Sequence, residues 1–122
     1  GTLAERIRAG GAGIGGFYVR TGVGTPFSEG KEIRRIGDHD YVFESPLRAD
    51  YALVRAHLAD RYGNLVYRRA QRNFNPLMAL AADVVIAEVD DVVPVGKLDN
   101  ERIETPGMLV SRLCVSRPEG AE

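Results

Sequence analysis

Residues 70–79, AQRNFNPLMA, decide the fold of this chain, because they form a polar segment between two apolar runs. Residues 62–67, YGNLVY, come before this segment and predict a turn followed by a brief strand. Pro76 suits the first turn of a helix, where its missing N–H costs nothing, and Asn75 is available as the N-cap. The segment therefore predicts a helix that continues through residues 77–81.

The second apolar run, residues 84–89, is short and bounded by polar residues. A run of this kind is typical of a buried parallel strand. Strands that alternate with helices predict an α/β fold, with an open, largely parallel sheet and crossover helices.

Residues 47–62 fit two kinds of secondary structure. One apolar set has the spacing of a helical face: Leu47, Tyr51, Val54 and Leu58. A second set alternates as the residues of a strand do: Ala52, Val54, Ala56 and Leu58. Because alanine is frequent here, periodicity alone favours the helix.

The amino end is typical of a short helix. Thr2 and Glu5 have the spacing of a capping box, and Gly10-Gly11 predict the end of the helix. A helix that begins at the second residue is unusual for an intact domain. We therefore expect this sequence to start within a longer protein.

Three further regions predict strands. Residues 16–20 are rich in aromatic and β-branched side chains. Residues 33–36 and 41–44 flank a Gly-Asp-His-Asp turn, which predicts a β-hairpin. Residues 108–115 follow a Pro-Gly pair and predict the last strand.

Composition and charge are those of one ordinary globular domain, residues 1–122. Hydrophobic residues make up 44% of the chain, charged residues 27%, and the formal net charge is -1. Arginines cluster only locally, at Arg6 and Arg8, Arg34 and Arg35, and Arg68, Arg69 and Arg72. These clusters are expected to be solvated surface or subunit contacts, and the interspersed charges argue against a nucleic-acid partner.

Compartment and membrane association also follow from the composition. No apolar stretch reaches the roughly 18 residues that a membrane span needs, and the amino end lacks a signal-peptide pattern. The single cysteine, Cys114, excludes an intrachain disulfide and any cysteine-based metal site. It lies in an apolar run, which predicts a buried structural thiol. A cytoplasmic location and no membrane association are expected.

A search for catalytic residues finds no convincing nucleophile with a base. His39 falls in a predicted turn, and His57, beside Arg55, is expected to be a satisfied structural histidine. The chain has no Gly-x-Ser-x-Gly elbow and no spaced histidine pair for zinc. Asp90-Asp91 after Glu88 is expected to be a solvated strand end. We predict no catalytic residue and no metal site.

Two short motifs remain candidates for binding. Gly22 and Gly24, followed by Thr25, let a backbone approach a ligand closely or equally serve a tight turn. Asn73 and Asn75 could present fixed amides to a substrate, or one could cap a helix while the other orders a loop.

Several of these motifs, in this order, resemble the A (alpha) subunit of the family I coenzyme A transferases. The resemblance runs through five segments: residues 1–6, 22–25, 49–53, 73–76 and 88–89. It implies a strand within residues 47–62 and the C-terminal portion of the family's open α/β sheet, lacking its first strands. It also implies that Gly22, Gly24 and Thr25 contact substrate, and Asn73 and Asn75 are the further candidates for substrate contact.

One departure from the family pattern concerns residues 15–18, Gly-Gly-Phe-Tyr. Relatives commonly carry Pro-Ala before the Phe-Tyr pair. The extra glycine is expected to affect the approach to the Gly22 loop, and so the choice of substrate rather than the fold.

The resemblance implies a transferase of the 3-oxoacid type. Such enzymes move CoA from a donor such as succinyl-CoA to acetoacetate or 3-oxoadipate, with CoA as a substrate and no cofactor. The family's nucleophilic glutamate precedes Asn-Gly in the B (beta) subunit, and no Glu-Asn-Gly occurs here. The expected partners are therefore that B subunit, the acyl-CoA and the acid substrates, in a hetero-oligomer.

Two alternatives stay open. A non-catalytic α/β module that binds a ligand or assists assembly would share the fold. A sugar-phosphate isomerase or deaminase on a similar sheet is disfavoured because no plausible base is present.

Overall fold

The computed structural model describes residues 1–116, and this part of the chain contains two α-helices and seven strands. Their order is α1 (Thr2–Ala12), β1 (Phe17–Val19), β2 (Ile33–Ile36), β3 (His39–Glu44), β4 (Ala49–Asp60), β5 (Leu65–Val66), α2 (Asn75–Leu80), β6 (Ala82–Val93) and β7 (Arg112–Val115). Short 3-10 turns lie at Pro26–Ser28, Arg69–Arg72, Asn100–Arg102 and Gly107–Leu109. Neither described helix is long and apolar enough to cross a membrane.

The larger sheet has the strand order β5-β4-β6-β7. β4 pairs parallel with β6, with Ala56 opposite Val89, and β6 pairs parallel with β7. β5 pairs antiparallel with the end of β4. The predicted open, largely parallel α/β sheet is confirmed. Of its two parallel connections, the first contains α2, whereas the second has only 3-10 turns. Proline and glycine in that second connection oppose a longer helix.

The smaller sheet is antiparallel and has the order β1-β3-β2. β2 and β3 form the predicted hairpin, although β3 begins at His39, within the expected turn. Gly37 in that turn has φ 60°, a left-handed conformation that glycine adopts without a steric penalty.

The core lies on one face of the β4–β6 pair. Ala52, Val54 and Ala56 of β4 are buried there, together with the matching alternate residues of β6, Val85, Ala87 and Val89. Ala79 of α2 packs against this cluster. Burying one valine side chain contributes about 1.5–3 kcal/mol to the free energy of folding. The small alanine side chains let α2 approach the sheet closely.

The strand alternative for residues 47–62 is therefore correct, and the helical periodicity is misleading. A helix would place Tyr51 and Val54 on one face, but Tyr51 is 66% exposed while Val54 is 3% exposed. Parallel pairing with β6 supplies the backbone hydrogen bonds that alanine-rich residues would otherwise form within a helix.

Helix α1 departs from the sequence prediction at both ends. Gly1, not Thr2, is the N-cap residue, and no side chain caps the helix. The helix continues through Gly10 and Gly11 and ends before Gly13, which has φ 73°. A Cβ at Gly10 would collide with the Leu47 carbonyl oxygen. These two glycines therefore allow close packing instead of ending the helix.

The last strand, β7, is shorter than predicted and contains an exposed cysteine. Residues 107–109 form a 3-10 turn, and only Arg112–Val115 pair with β6. The prediction of a buried Cys114 is wrong. β7 is the edge of the sheet, and Cys114 lies opposite Glu88 on the face that does not carry the core.

Candidate functional site

The Gly22 loop, residues 22–25, is a tight turn between β1 and the 3-10 turn at Pro26–Ser28. Gly22 and Gly24 have φ of 89° and 75°, in the left-handed region that favours glycine. The backbone N–H and the hydroxyl of Thr25 both donate to the Gly22 carbonyl oxygen, at 3.1 and 2.6 Å. The fold thus keeps these three predicted residues together. A Cβ on Gly24 would meet no described atom within 4 Å, which leaves that side of the loop open.

Gly22 lines a cavity of about 290 Å³ whose charged walls are Arg6, Lys31 and Glu44. Glu44 is only 5% exposed and accepts a hydrogen bond from Lys31 Nζ at 2.7 Å. Arg6 Nε lies 3.9 Å from the Glu44 carboxylate and donates to the Ser45 carbonyl oxygen at 2.9 Å. A buried carboxylate with two cationic neighbours is electrostatically satisfied. Glu44 therefore anchors Lys31 and Arg6.

This cavity, which we call the Lys31 cavity, has the groups to hold a carboxylate or a carbonyl oxygen. The Lys31 ammonium carries three donors, and its hydrogen bond to Glu44 uses one of them. Neither Lys31 nor Glu44 is predicted from the sequence. The sequence does contain a signal for Glu44, which is the alternation of β3. Val42 and Glu44 are two residues apart and are both buried, so they share the inward side of the strand.

Gly16 makes room for an aromatic contact next to this region. It has φ 148°, and a Cβ there would collide with the Phe43 ring. The Phe43 ring in turn packs edge-on against Tyr18, with centroids 5.3 Å apart. Gly16, one of the two glycines that depart from the family pattern, therefore allows tight packing beneath β1.

Asn75 joins α2 to the larger sheet. Its side-chain oxygen accepts from the Arg55 backbone N–H at 3.0 Å, and its amide nitrogen donates to the Gln71 carbonyl oxygen at 2.8 Å. β5 pairs only with Leu58 and Ala59 on this edge of β4, so Asn75 supplies an acceptor that a neighbouring strand would otherwise provide. The predicted N-cap role is wrong, because Phe74 is the N-cap residue.

Asn73 has a different environment. It follows the 3-10 turn at Arg69–Arg72, its side chain is exposed, and its backbone N–H donates to the Ala70 carbonyl oxygen at 3.0 Å. The structure therefore brings Asn73 and Asn75 into one loop but gives them different contacts.

The two predicted motifs do not share a cavity. Gly22 lines the Lys31 cavity, whereas Asn75 lines another cavity of about 290 Å³ with Arg55, Glu88 and Cys114. These two cavities have no lining residue in common. A single substrate contact formed by both motifs is thus not seen within residues 1–116.

A charged cluster lies on the open face of the larger sheet. His57 Nδ1 donates to the Asp90 carboxylate at 2.8 Å, and the Arg55 guanidinium also donates to Asp90. The hydrogen bond from His57, followed by that from Arg55, lowers the pKa of the Asp90 carboxyl. Asp90 and Asp91 are exposed, as expected, but they lie inside β6 instead of at its end, and Asp90 is paired. His57 has the satisfied, structural contact that was expected.

The match to a family model decides the relationship of this chain to known proteins. The model described as coenzyme A transferase matches residues 1–116. The chain belongs to the coenzyme A transferase family. The resemblance identified from the sequence is confirmed, and its fold expectation agrees with the parallel sheet described above.

Two curated relatives of this coenzyme A transferase chain are named as A subunits. The chain is 58% identical over 113 residues to the A subunit of 3-oxoadipate CoA-transferase from Pseudomonas putida, covering 93% of this chain and 49% of the relative. It is 52% identical over 115 residues to the A subunit of a probable succinyl-CoA:3-ketoacid coenzyme A transferase from Bacillus subtilis (strain 168), covering 94% and 48%. The chain thus spans about half the length of these relatives.

A solved structure shows the same fold at low identity. The acyl-CoA transferase from E. coli O157:H7, in a thioester complex with CoA, superposes with a TM-score of 0.82 and 20% identity. The match covers 98% of this chain and 27% of that protein.

The described residues also bear on metal binding. Within residues 1–116, no group of three or more His, Cys, Asp or Glu side chains is placed to hold a metal ion.

Proposed function

We propose that this chain is part of the A subunit of a heteromeric CoA-transferase that moves CoA from a donor such as succinyl-CoA to acetoacetate or 3-oxoadipate. The observation that carries the proposal is its identity of 58% and 52% to A subunits named for 3-oxoadipate and 3-ketoacid transfer. Acyl-CoA and acid substrates, a B-subunit partner, no cofactor besides the CoA substrate and a cytoplasmic location belong to the same proposal.

The nucleophile is assigned to the partner subunit. The carboxylate that lines the Lys31 cavity, Glu44, is buried and bound by Lys31. A carboxylate in that state is a poor nucleophile, because attack on a thioester requires a free lone pair and would break this ion pair. The sequence also lacks the Glu-Asn-Gly that marks the family's nucleophile.

The reaction proceeds by covalent catalysis in steps that balance. The partner's carboxylate attacks the donor thioester, which releases CoA as a thiolate and forms a mixed anhydride. The thiolate then attacks the enzyme's carbonyl of this anhydride, giving an enzyme–CoA thioester and the free donor acid. The acceptor acid then displaces CoA from that thioester through a second anhydride, and CoA attack on its acyl carbonyl restores the enzyme carboxylate.

This chain's share is to position the acyl group. Lys31 and Arg6 place positive charge beside the Gly22 loop, where the substrate carboxylate and the developing oxyanion would be stabilised. Gly22, Gly24 and Thr25 keep the loop tight and open on one side. Asn75 acts by holding α2 and the preceding loop against β4, with Asn73 exposed in that loop.

The test is reconstitution of the transfer reaction. The complete A subunit with this sequence is mixed with its B subunit, and acetoacetyl-CoA or 3-oxoadipyl-CoA formed from succinyl-CoA is measured. We expect transfer only when both subunits are present. Transfer by the isolated A subunit, or a mixture inactive with both acids, would refute the proposal.

A sharper version tests Lys31. The variant Lys31→Met should lower kcat/KM by about tenfold or more, because a charged hydrogen bond contributes roughly 1.5–3 kcal/mol. Lys97→Met, the same change at the chain's other lysine, on an exposed turn, should leave activity unchanged. In Lys31→Met the buried Glu44 carboxylate loses its lysine partner. The double variant Lys31→Met/Glu44→Gln removes this buried negative charge as well. It should regain stability without regaining activity, whereas recovered activity would show that Lys31 is purely structural.

A further inference from the structure

The 3-10 turn at Arg69–Arg72 contributes to a second charged cavity, next to the larger sheet's edge strand β5. Its volume is about 310 Å³. Its lining residues are His57, Val66, Tyr67, Arg68, Arg69, Arg72 and Arg102. Four arginines thus come from two separate segments of the chain to one concave surface. We call it the arginine cavity.

Positive charge is in excess in the arginine cavity. Arg72 Nε donates to the Glu104 carboxylate at 2.6 Å, and His57 is bound to Asp90. Within residues 1–116, no carboxylate lies within 4.0 Å of the Arg68, Arg69 or Arg102 guanidinium groups. Like charges that converge in this way repel one another, and the repulsion is relieved when an anion binds between them.

The backbone holds one of the cavity's arginines, Arg69, in an unfavourable conformation. Arg69 has φ 54°, the one non-glycine residue with positive φ among residues 1–116. A residue in this region costs on the order of 1 kcal/mol and persists only where its surroundings enforce it. The Arg68 backbone N–H donates to Gln71 Oε1 at 2.9 Å, which helps to fix the turn.

The walls around the arginines include a buried, hydrogen-bonded tyrosine. Tyr67 is 1% exposed, and its hydroxyl is hydrogen-bonded to Thr105 Oγ1 at 2.7 Å. His57 lies near the carboxyl end of β4, and ligands of open α/β sheets bind at the carboxyl ends of their strands. Because Asp90 holds Nδ1 of His57, the other ring nitrogen, Nε2, is left for a ligand.

We propose that the arginine cavity is a binding site for a phosphate group. A phosphate carries a charge near −2 and three strong acceptor oxygens, so it can bind several guanidinium groups at once. A carboxylate has one charge and two oxygens, which one arginine satisfies in a bidentate pair. The phosphate belongs either to free inorganic phosphate or to the nucleotide end of CoA, and this site is separate from the Lys31 cavity.

The experiment measures phosphate binding to the protein as purified, with any partner that co-purifies. Inorganic phosphate, CoA and 3′-dephospho-CoA are titrated in turn, with binding followed by calorimetry. Sodium chloride at matched ionic strength is the reference for screening. We expect saturable phosphate binding that weakens as salt increases.

Variants locate the binding. Arg68→Gln/Arg102→Gln should weaken phosphate binding about tenfold or more per arginine, since each charged hydrogen bond contributes roughly 1.5–3 kcal/mol. Arg34→Gln/Arg35→Gln removes the same charge from two exposed arginines on β2 and should change affinity less than twofold. Both side-chain pairs are exposed, and circular dichroism checks that each variant is folded.

The titrations with the three ligands also distinguish the source of the phosphate. If CoA binds more tightly than phosphate, and if Arg68→Gln/Arg102→Gln loses this binding, the site belongs to the nucleotide end of CoA. Comparison with 3′-dephospho-CoA then tests whether the 3′-phosphate is the group that binds. Binding of phosphate but not CoA assigns it to the free ion. If neither binds saturably, or if the two double variants behave alike, the proposal is wrong.

Discussion

The two faces of the central β4–β6 pair have opposite characters. On one face Val54 is 3% exposed, and α2 packs against it and its alanine neighbours. On the other, Leu53 is 71% exposed, and the charged residues Arg55, His57 and Asp90 bind one another. Parallel sheets are normally covered on both faces. The packing that stabilises this sheet is therefore on one face, while the other face leaves charged and apolar groups exposed.

The largest expected effect comes from placing a charge on each face in turn. Val54→Asp would bury a carboxylate in the core, which should cost about 4 kcal/mol or more and unfold the protein. Leu53→Asp, one residue away on the open face, should change stability by about 0.5 kcal/mol or less. Urea denaturation followed by circular dichroism measures both. Equal losses would mean that the open face is covered in the purified protein.

A smaller effect is expected from the glycines that let α1 pack closely. Gly10→Ala should destabilise the protein by about 1–3 kcal/mol, because the added methyl group collides with the Leu47 carbonyl oxygen. Gly15→Ala meets no described atom within 4 Å and is the matched control, with little change in melting temperature expected. An increase in the melting temperature of Gly10→Ala would show that helix propensity outweighs the collision.

The charged cluster on the open face should give a pH-dependent effect. A carboxyl whose folded-state pKa is depressed stabilises the protein above its unfolded-state pKa, and this stabilisation disappears as pH falls through the folded-state pKa. Because the pKa of Asp90 is lowered, Asp90→Asn should reduce the free energy of unfolding at pH 7. The difference from the parent protein should shrink below about pH 4. A difference that stays constant between neutral and acidic pH would contradict the His57 and Arg55 contacts.

The smallest expected change in stability is at Cys114, also on the open face. Cys114→Ser should alter the free energy of unfolding by about 0.5 kcal/mol or less, since the side chain is exposed. Alkylation with iodoacetamide, read by mass spectrometry, should modify Cys114 in the folded protein at a rate comparable to that in urea. Strong protection in the folded protein would place another surface over this face.

The sequence predicts well those secondary-structure elements that a local residue pattern determines. The apolar run in β6 and the hairpin of β2 and β3 are both confirmed, because alternation and turn residues act over a few positions. β4 is the contrasting case, since its alanines satisfy a helix equally well. Only pairing with β6, about thirty residues away in the chain, makes the strand preferable.

The candidate sites depend on contacts that a linear pattern does not contain. In the sequence Gly10 resembles a helix stop, but in the structure it lies against the Leu47 carbonyl oxygen and allows close packing. Asn75 resembles an N-cap, but its side chain binds a part of the β4 edge that β5 does not pair. The arginine cavity joins Arg102 to the turn at Arg69–Arg72, and no local spacing links them. The Gly22 turn was predictable, since glycine and threonine at that spacing form it directly.

We propose that the reactive carboxylate of acyl transfer belongs to a second protein chain. Intact-mass spectrometry of the mixed subunits after incubation with acyl-CoA tests it most directly, because the enzyme–CoA thioester adds the mass of CoA to the chain that carries it. We predict this adduct on the partner and none on the chain described here. A CoA adduct on this chain would instead place the reactive carboxylate here and refute the proposal.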